Sequence, residues 1–328
     1  MTTTVDMWTA DQQYDQDGFP LTPAELRHRR AVAIAQRQAD SWGRLIDRLA
    51  TATGAGLLLA LYRDTFLRIP ASIGTALLMR RAFDGLVNDV RGVISPVIDE
   101  ASRGGFNAAN AHYSNLRDAL GYPRRHVAAS ETLLKVGLDA VMAVVLFQRA
   151  SAIAMLAQGR ADMATLVGTD QRPGILNPTP VLQAASEQIV GVGQASMIQG
   201  LTDLKVNPNL VLLQAVAAID ERTTPCCLAV HGQAVPIKGG LFHLTADPKY
   251  AEYMANPPFH RWCRTATAVI LARDLTDALT ARMRAAADAE TAYRDARRYN
   301  RGPFTNPAHV YPNRSRFRTP TNATTRRT

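Results

Sequence analysis

The sequence predicts an α+β protein: a predominantly helical N-terminal domain, then a small mixed helix and β-hairpin module, then an amphipathic helix and a basic tail. Two observations carry this reading. Hydrophobic residues make up 47% of the 328-residue chain and aromatics only 6%, with Ala, Leu, Arg and Val abundant, which is the profile of a helix-rich protein rather than a β-sandwich. Helical periodicity also dominates up to about Asp220, whereas short β-like runs broken by glycines come after it. A chain of this length forms one large or two modest domains and buries roughly three quarters of its unfolded surface.

Residues 1–20 are polar and aperiodic and are expected to be a flexible arm. Thr22-Pro23-Ala24-Glu25 starts a helix, with Thr22 as cap and Pro23 at the first helical position, and Val32, Ile34, Leu45, Ile46 and Leu49 extend it to about Ala50. Its arginines (Arg27, Arg29, Arg30, Arg37 and Arg44), with Asp40 and Asp47 nearby, read as a solvated face. Gly54, Gly56 and Pro70 punctuate the next stretch. A helical block from Ser72 to about Asn88 precedes a longer region that ends at Gly121-Tyr122-Pro123.

The strongest helix begins near Ser130. Leu134, Leu138, Val141 and Val145 recur at four, three and four residues, and Ala140, Val144 and Phe147 make the other side apolar too, which predicts burial on more than one face at the centre of a bundle. Asp139, Gln148 and Arg149 interrupt the apolar stretch from Gly137 to Ala157, so it reads as a buried helix rather than a membrane span, and no membrane partner is expected. Pro173-Gly174 and Asn177-Pro178 form a loop. A helix from about Pro180 to Leu204 comes next, and Asn207-Pro208-Asn209 opens another that ends near Asp220.

Beyond Asp220, Cys227–Val230 and Gln233–Ile237 read as short strands around His231-Gly232, Lys238-Gly239-Gly240 as a turn, and Thr265–Leu271 as a strand. Asp274 is expected to cap a last helix with Leu275, Leu279, Met283, Ala286 and Tyr293 on one stripe. The expected divisions are therefore an arm at 1–20, a helical domain at 21–125, the mixed module at 126–272, a helix at 273–295 and a tail at 296–328.

The net charge of +9 is concentrated at that end. From residue 296 onward there are eight arginines (Arg297, Arg298, Arg301, Arg314, Arg316, Arg318, Arg326 and Arg327) and no acid, so removing them from the total leaves +1. Tyr299, Phe304, Tyr311 and Phe317 are interleaved among them. This composition is disordered, and it suits non-specific contact with double-stranded DNA, with a solubilising tail as the alternative.

The three cysteines include adjacent Cys226 and Cys227, which is no disulfide framework, and a reducing compartment fits. The N-terminus carries no apolar leader, so classical secretion is not expected. Cys227, His260 and Cys263, with His231 as candidate fourth ligand, have the donor chemistry of a zinc site. The competing reading makes Cys227 and Cys263 buried apolar residues and hydrogen-bonds His260 to a carbonyl. Cys226 is expected on the opposite face of a strand, in packing. Arg222 and Arg264 read as clamps on Asp220, Glu221 or backbone carbonyls. Phosphate-loop, nucleophile-elbow, His-Glu-x-x-His and deaminase signatures are absent from the sequence.

Arg222, Thr223, Thr224, Cys227, Gly232, Pro258, His260, Cys263 and Arg264 fall in the order Arg-Thr-Ser/Thr, Cys, Gly, then Pro-x-His-x-x-Cys-Arg. In this the chain resembles the Mu F-like minor head protein family of tailed bacteriophages, over about fifty residues. The resemblance implies a non-enzymatic minor capsid protein of phage or prophage. It implies association with the portal and capsid components inside the head, near the portal vertex, after assembly in the host cytoplasm. It also implies a role in head assembly, DNA packaging or delivery. The same module occurs in bacterial toxin-like proteins ahead of an effector domain, and the roughly thirty residues after the last helix here are too few for one. A cysteine-dependent hydrolase built on Cys227 and His260 is the third alternative.

Overall fold

The computed structural model describes residues 20–67, 75–158, 160, 165–166, 174, 176–220, 222–244 and 252–299. The expected arm at 1–19 and the tail beyond 299 lie outside them.

Thr22 starts α1 (Pro23–Ala50) as the sequence predicts: its hydroxyl accepts the Glu25 N–H at 3.2 Å, and the Glu25 carboxylate accepts the Thr22 N–H at 2.9 Å. After α2 (Ala52–Leu67) comes α3 (Thr75–Leu120), one continuous helix of 46 residues where the sequence reading had a break near Asn88. Pro96 lies inside it. The hydrogen bond lost there is offset by packing, because Val90, Ile94, Val97, Ile98 and Ala101 on either side of it are all buried in the main core.

Helices α4 (Glu131–Ala157) and α5 (Thr179–Asp203) complete the helical part. Here the bundle-centre expectation for α4 is overturned. Leu138, Val141, Met142 and Val145 are buried, but Phe147 is 73% exposed, Val136 60% and Leu146 44%. The centre belongs instead to α5, because small residues let its neighbours approach closely. A Cβ on Gly105 of α3 would lie 2.1 Å from the Gly193 carbonyl oxygen, and one on Gly193 would lie 2.5 Å from the Trp42 indole of α1. The resulting core draws on both sides of residue 125.

The mixed module comes next: β1 (Val211–Ala217), the single-turn helix α6 (Pro225–Val230), β2 (Ala234–Pro236), β3 (Phe242–His243), β4 (Tyr253–Met254) and β5 (Thr265–Leu271). The strands form an antiparallel sheet in the order β2-β1-β5, with Val211 opposite Leu271 and Ala217 opposite Thr265, and a separate β3-β4 pair. Two expectations are corrected. Residues 211–217 form a strand, not a helix: Val-Leu-Leu-Gln-Ala-Val-Ala is apolar at either period, and full-length pairing with β5 decides it. Residues 227–230 form a helical turn, not a strand. Pro225 sits in the first turn, and β1, paired on both sides by β2 and β5, offers no free edge for a further strand.

A short 3-10 turn (Ala272–Asp274) leads to α7 (Asp277–Tyr299), whose first turn is capped by the Thr276 hydroxyl accepting the Leu279 N–H at 3.3 Å. Asp274, the expected cap, instead accepts two hydrogen bonds from Arg27 at 2.8 and 2.9 Å and ties this turn to α1. Leu279, Met283, Ala286 and Tyr293 are buried as the stripe predicts. Arg29, read as part of a solvated face, is buried.

Candidate functional site

The site is built on the turn that leaves β1. Thr223 Oγ1 accepts the Asp220 N–H at 2.9 Å and donates to the Ala218 carbonyl, and Asp220 Oδ1 accepts the Arg222 N–H at 2.8 Å. Arg294 of α7 reaches the same turn, donating to the Asp220 carbonyl at 2.9 Å and to that of Thr223. A short segment with many side-chain bonds to its own backbone is a rigid platform, and it delivers α6 in one orientation.

Across it lies Arg264, immediately before β5. Its guanidinium grips Asp220 with two bonds, the first of 2.7 Å, and the two side chains are only 13% and 8% exposed. Burial pushes the Asp220 carboxyl up. The hydrogen bond and charge of Arg264, with the Arg222 N–H, outweigh it and hold the group below its ordinary 3.8. Arg264 thus acts as the clamp its sequence position suggested. Arg222 clamps differently: its side chain reaches out to Asp47 of α1, at 2.8 and 3.1 Å, near the surface. Glu221 lies outside the described residues.

Pro225 starts α6 and puts Cys226 and Cys227 in its first turn. The second half of the motif is a knuckle, His260 to Cys263, that reverses direction at Trp262, whose φ of 62° is left-handed. Phe259 packs edge-on against Phe242, with ring centroids 5.5 Å apart, so the β3-β4 pair supports the knuckle from below. Pro258, which is preceded by a cis peptide, abuts α5 at Gly191.

The two halves meet through sulfur and imidazole. Cys227 Sγ lies 3.0 Å from His260 Nε2 and 3.9 Å from Cys263 Sγ. The ligand atoms of Cys226, Cys227 and His260 all lie within 4.8 Å of one another, so this cluster could hold a metal ion. All three cysteines are free thiols and buried. His260 Nδ1 faces the Arg261 carbonyl, so Nδ1 carries a proton and donates to it, and Nε2 is turned to the centre. Thr224 Oγ1 is 2.8 Å from that Nε2 and 3.0 Å from Cys226 Sγ.

The environment favours the thiolate at Cys226 and Cys263 and the thiol at Cys227, which burial and the hydrogen bonds to Cys226 and Cys263 push well above its usual range. Hydrogen bonding from Cys227 brings the Cys226 thiol down to about 7, against the opposing effect of burial, with Thr224 and His260 assisting. Burial pushes Cys263 up, but hydrogen bonds with Cys227 and His260 and the imidazole charge carry it well below its usual range. Thiolate is the form that ligates a metal.

His231 does not join this cluster. Its Nδ1 accepts the Ala217 N–H at 3.0 Å, so it supports β1, and burial together with the charge of Arg284 lowers its pKa to about 4 and keeps it neutral. Gly232 has φ +84°, and a Cβ there would press on Met283 and Arg284 at 3.2–3.3 Å, so the turn requires glycine. The residue sequence reasoning missed is Cys226. On a strand, neighbours point to opposite faces. On a helix they diverge by only about 100°, so adjacent Cys226 and Cys227 both reach the centre.

A shallow cleft lined by Arg222, Thr223, Thr224, Cys227, His260 and Arg264 opens beside the cluster, with room for about one water. Of the tail arginines, Arg297 and Arg298 fall in the last turns of α7, past the expected boundary at 295, and the other six lie outside the described residues. Compared with known protein families, with curated proteins and with solved structures, the chain matches none.

Proposed function

We propose that this chain is a Mu F-like minor head protein of a tailed phage or prophage, a non-enzymatic component that sits with the portal inside the head. The observation that carries the reading is convergence. The two halves of the signature, some thirty residues apart in sequence, meet at one centre and are bolted together by Asp220 and Arg264. Such an arrangement supports a rigid structural module more than a reaction site, because the adjacent cleft admits about one water and Cys227 is only 2% exposed.

The metal of this module is zinc, held by the cluster of Cys226, Cys227 and His260, with Cys263, which lies outside that cluster but faces Cys227 at 3.9 Å, drawn in as the fourth ligand. The donor set is that of a closed structural site. The edge of a tetrahedron with Zn–S bonds of about 2.3 Å is about 3.8 Å, and the Cys227–Cys263 sulfur separation is 3.9 Å.

The helical body docks on the portal and the tail binds DNA. The tail is too polar to supply an apolar interface core, so the chain without residues 296–328 is expected to co-purify with portal oligomers as the full chain does. Loss of association on trimming would reverse that assignment, and failure of both forms to bind portal would remove the head role.

DNA binding is expected to behave oppositely. If five of the eight arginines neutralise phosphates, log affinity falls with log salt with a slope of roughly −4 to −5, with no sequence preference. Deleting 296–328 removes nearly all of it, whereas replacing Arg30, Arg37 and Arg44, surface arginines of α1, changes little. Equal binding by the full and truncated chains would show that the basic tail serves solubility.

One observation favours a second reading, the cysteine-dependent hydrolase: the 3.0 Å approach of Cys227 to His260, with the imidazole oriented by the Arg261 carbonyl. Selective labelling of Cys227 in the native protein by a small electrophile such as iodoacetamide, abolished by His260→Ala, would support it over the structural role.

A further inference from the structure

Helix α4 carries a feature the proposed head role does not use. Of its most apolar 18 residues, with mean hydropathy 1.8, only 28% are buried. The buried side faces the body and is pinned there. Tyr62 donates to Gln148 at 2.7 Å, Gln148 donates to the Asn177 carbonyl at 2.9 Å, and Arg149 pairs with Asp84 at 2.8 Å.

The outward side is patterned. Val136, Ala140, Ala143, Phe147, Ala150 and Ala154 are all exposed, at spacings of four, three, four, three and four residues. A 3-4 alternation has a period of 3.5 residues, the repeat of a helix packed along its length on another helix. It runs for 19 residues, about 28 Å at 1.5 Å per residue. No charged residue falls on it: Lys135 and Asp139 flank only its N-terminal end, and Asp139 turns towards Arg91 at 3.8 Å.

The occupant follows from the sizes along the seam: its two large side chains, Val136 and Phe147, can each face an alanine when the same face of a second copy runs antiparallel. We infer that this face packs on α4 of a second copy of the chain, antiparallel, about a twofold axis near residue 145. That register sets Phe147 on the partner's Ala143, Ala140 on the partner's Ala150, and Val136 on the partner's Ala154. Each large side chain then meets a small one, and every layer pairs an a with a d position, as antiparallel coiled coils require. A parallel register would instead stack Phe147 on Phe147 and Val136 on Val136 of the second copy, large on large. An antiparallel pair also opposes the two helix dipoles favourably. The contact is self-complementary, as a twofold interface must be.

Sedimentation of the full chain tests this. Since the seam is mostly alanine, a monomer–dimer equilibrium in the micromolar range is expected, and Phe147→Asp should weaken it at least about tenfold by burying a charge at its largest contact. Phe147 is 73% exposed, so the variant keeps its fold, which circular dichroism checks. Orientation is read by cross-linking. Ala140→Cys combined with Ala150→Cys joins two chains through a short bismaleimide, while Ala150→Cys alone does not. A chain that stays monomeric at ~200 μM, a dimer indifferent to Phe147→Asp, or efficient cross-linking of the Ala150→Cys single variant would overturn the proposal. So would Phe147-dependent flotation with phosphatidylcholine vesicles by a monomeric chain, which would assign the face to lipid.

Discussion

Replacing Arg264 with alanine is expected to lower the unfolding free energy by about 3–5 kcal/mol, among the largest effects of any single substitution here, because it leaves the Asp220 carboxylate buried and unpaired. Chemical denaturation against the wild type reads the loss directly. The effect is that large only because both partners are nearly enclosed; the more exposed Arg222–Asp47 pair should contribute less than about 1 kcal/mol. Removing both partners, as Asp220→Asn with Arg264→Met, should recover much of the loss, since two neutral groups carry a smaller desolvation cost.

The same pair sets an acid limit. The folded-state pKa of Asp220 lies below its ordinary value of 3.8, so its contribution is fully present above about that pH and is lost as pH falls through the lower, folded value. Arg264→Ala should therefore flatten the stability profile below pH 4. A loss under about 1 kcal/mol for Arg264→Ala would mean that Asp220 is solvated in solution.

Metal content carries the second large effect. Purified protein is expected to hold about one equivalent of zinc, and Cys263→Ser to lose both the metal and much of the module's stability, because ligation free energy is folding free energy. The ligand set is tested separately: Cys226→Ser should lose zinc, whereas His231→Gln should retain it while weakening β1, whose Ala217 N–H the imidazole accepts. A chelator should lower the melting temperature of the wild type and leave that of Cys263→Ser unchanged. Metal-free protein as stable as wild type would sink the zinc assignment without touching the Asp220–Arg264 prediction.

These two predictions draw on the part of the chain where local sequence and tertiary context divide most clearly. The α+β class, the Thr22 cap, the strand at Thr265–Leu271, the glycine demanded at Gly232 and a clamp at Arg264, with Asp220 among its offered partners, were all legible in order and residue type. So was the nearness of Cys227, His260 and Cys263, since two short segments rich in thiol and imidazole suggest a shared centre. Cys226 was not legible, because its role depends on whether residues 225–230 turn as a helix or extend as a strand, and so few residues hold no period to decide it. The same ambiguity hid β1, whose six apolar residues around Gln214 fit either period.

What the sequence by itself determined is what a chain writes locally: caps, turn glycines, the sign and concentration of charge, and the donor chemistry of the site. Only the tertiary structure decided what depends on competition for space. Gly105 and Gly193 let α3 and α5 approach until they fill the centre of the bundle, and α4, though the most apolar helix, is left with one side uncovered. Hydrophobicity measures what burial would gain, but which helix reaches the middle is set by how closely backbones can pack. Likewise β1 accepts partners on both edges, so Cys226 and Cys227 turn as a helix and reach the centre together.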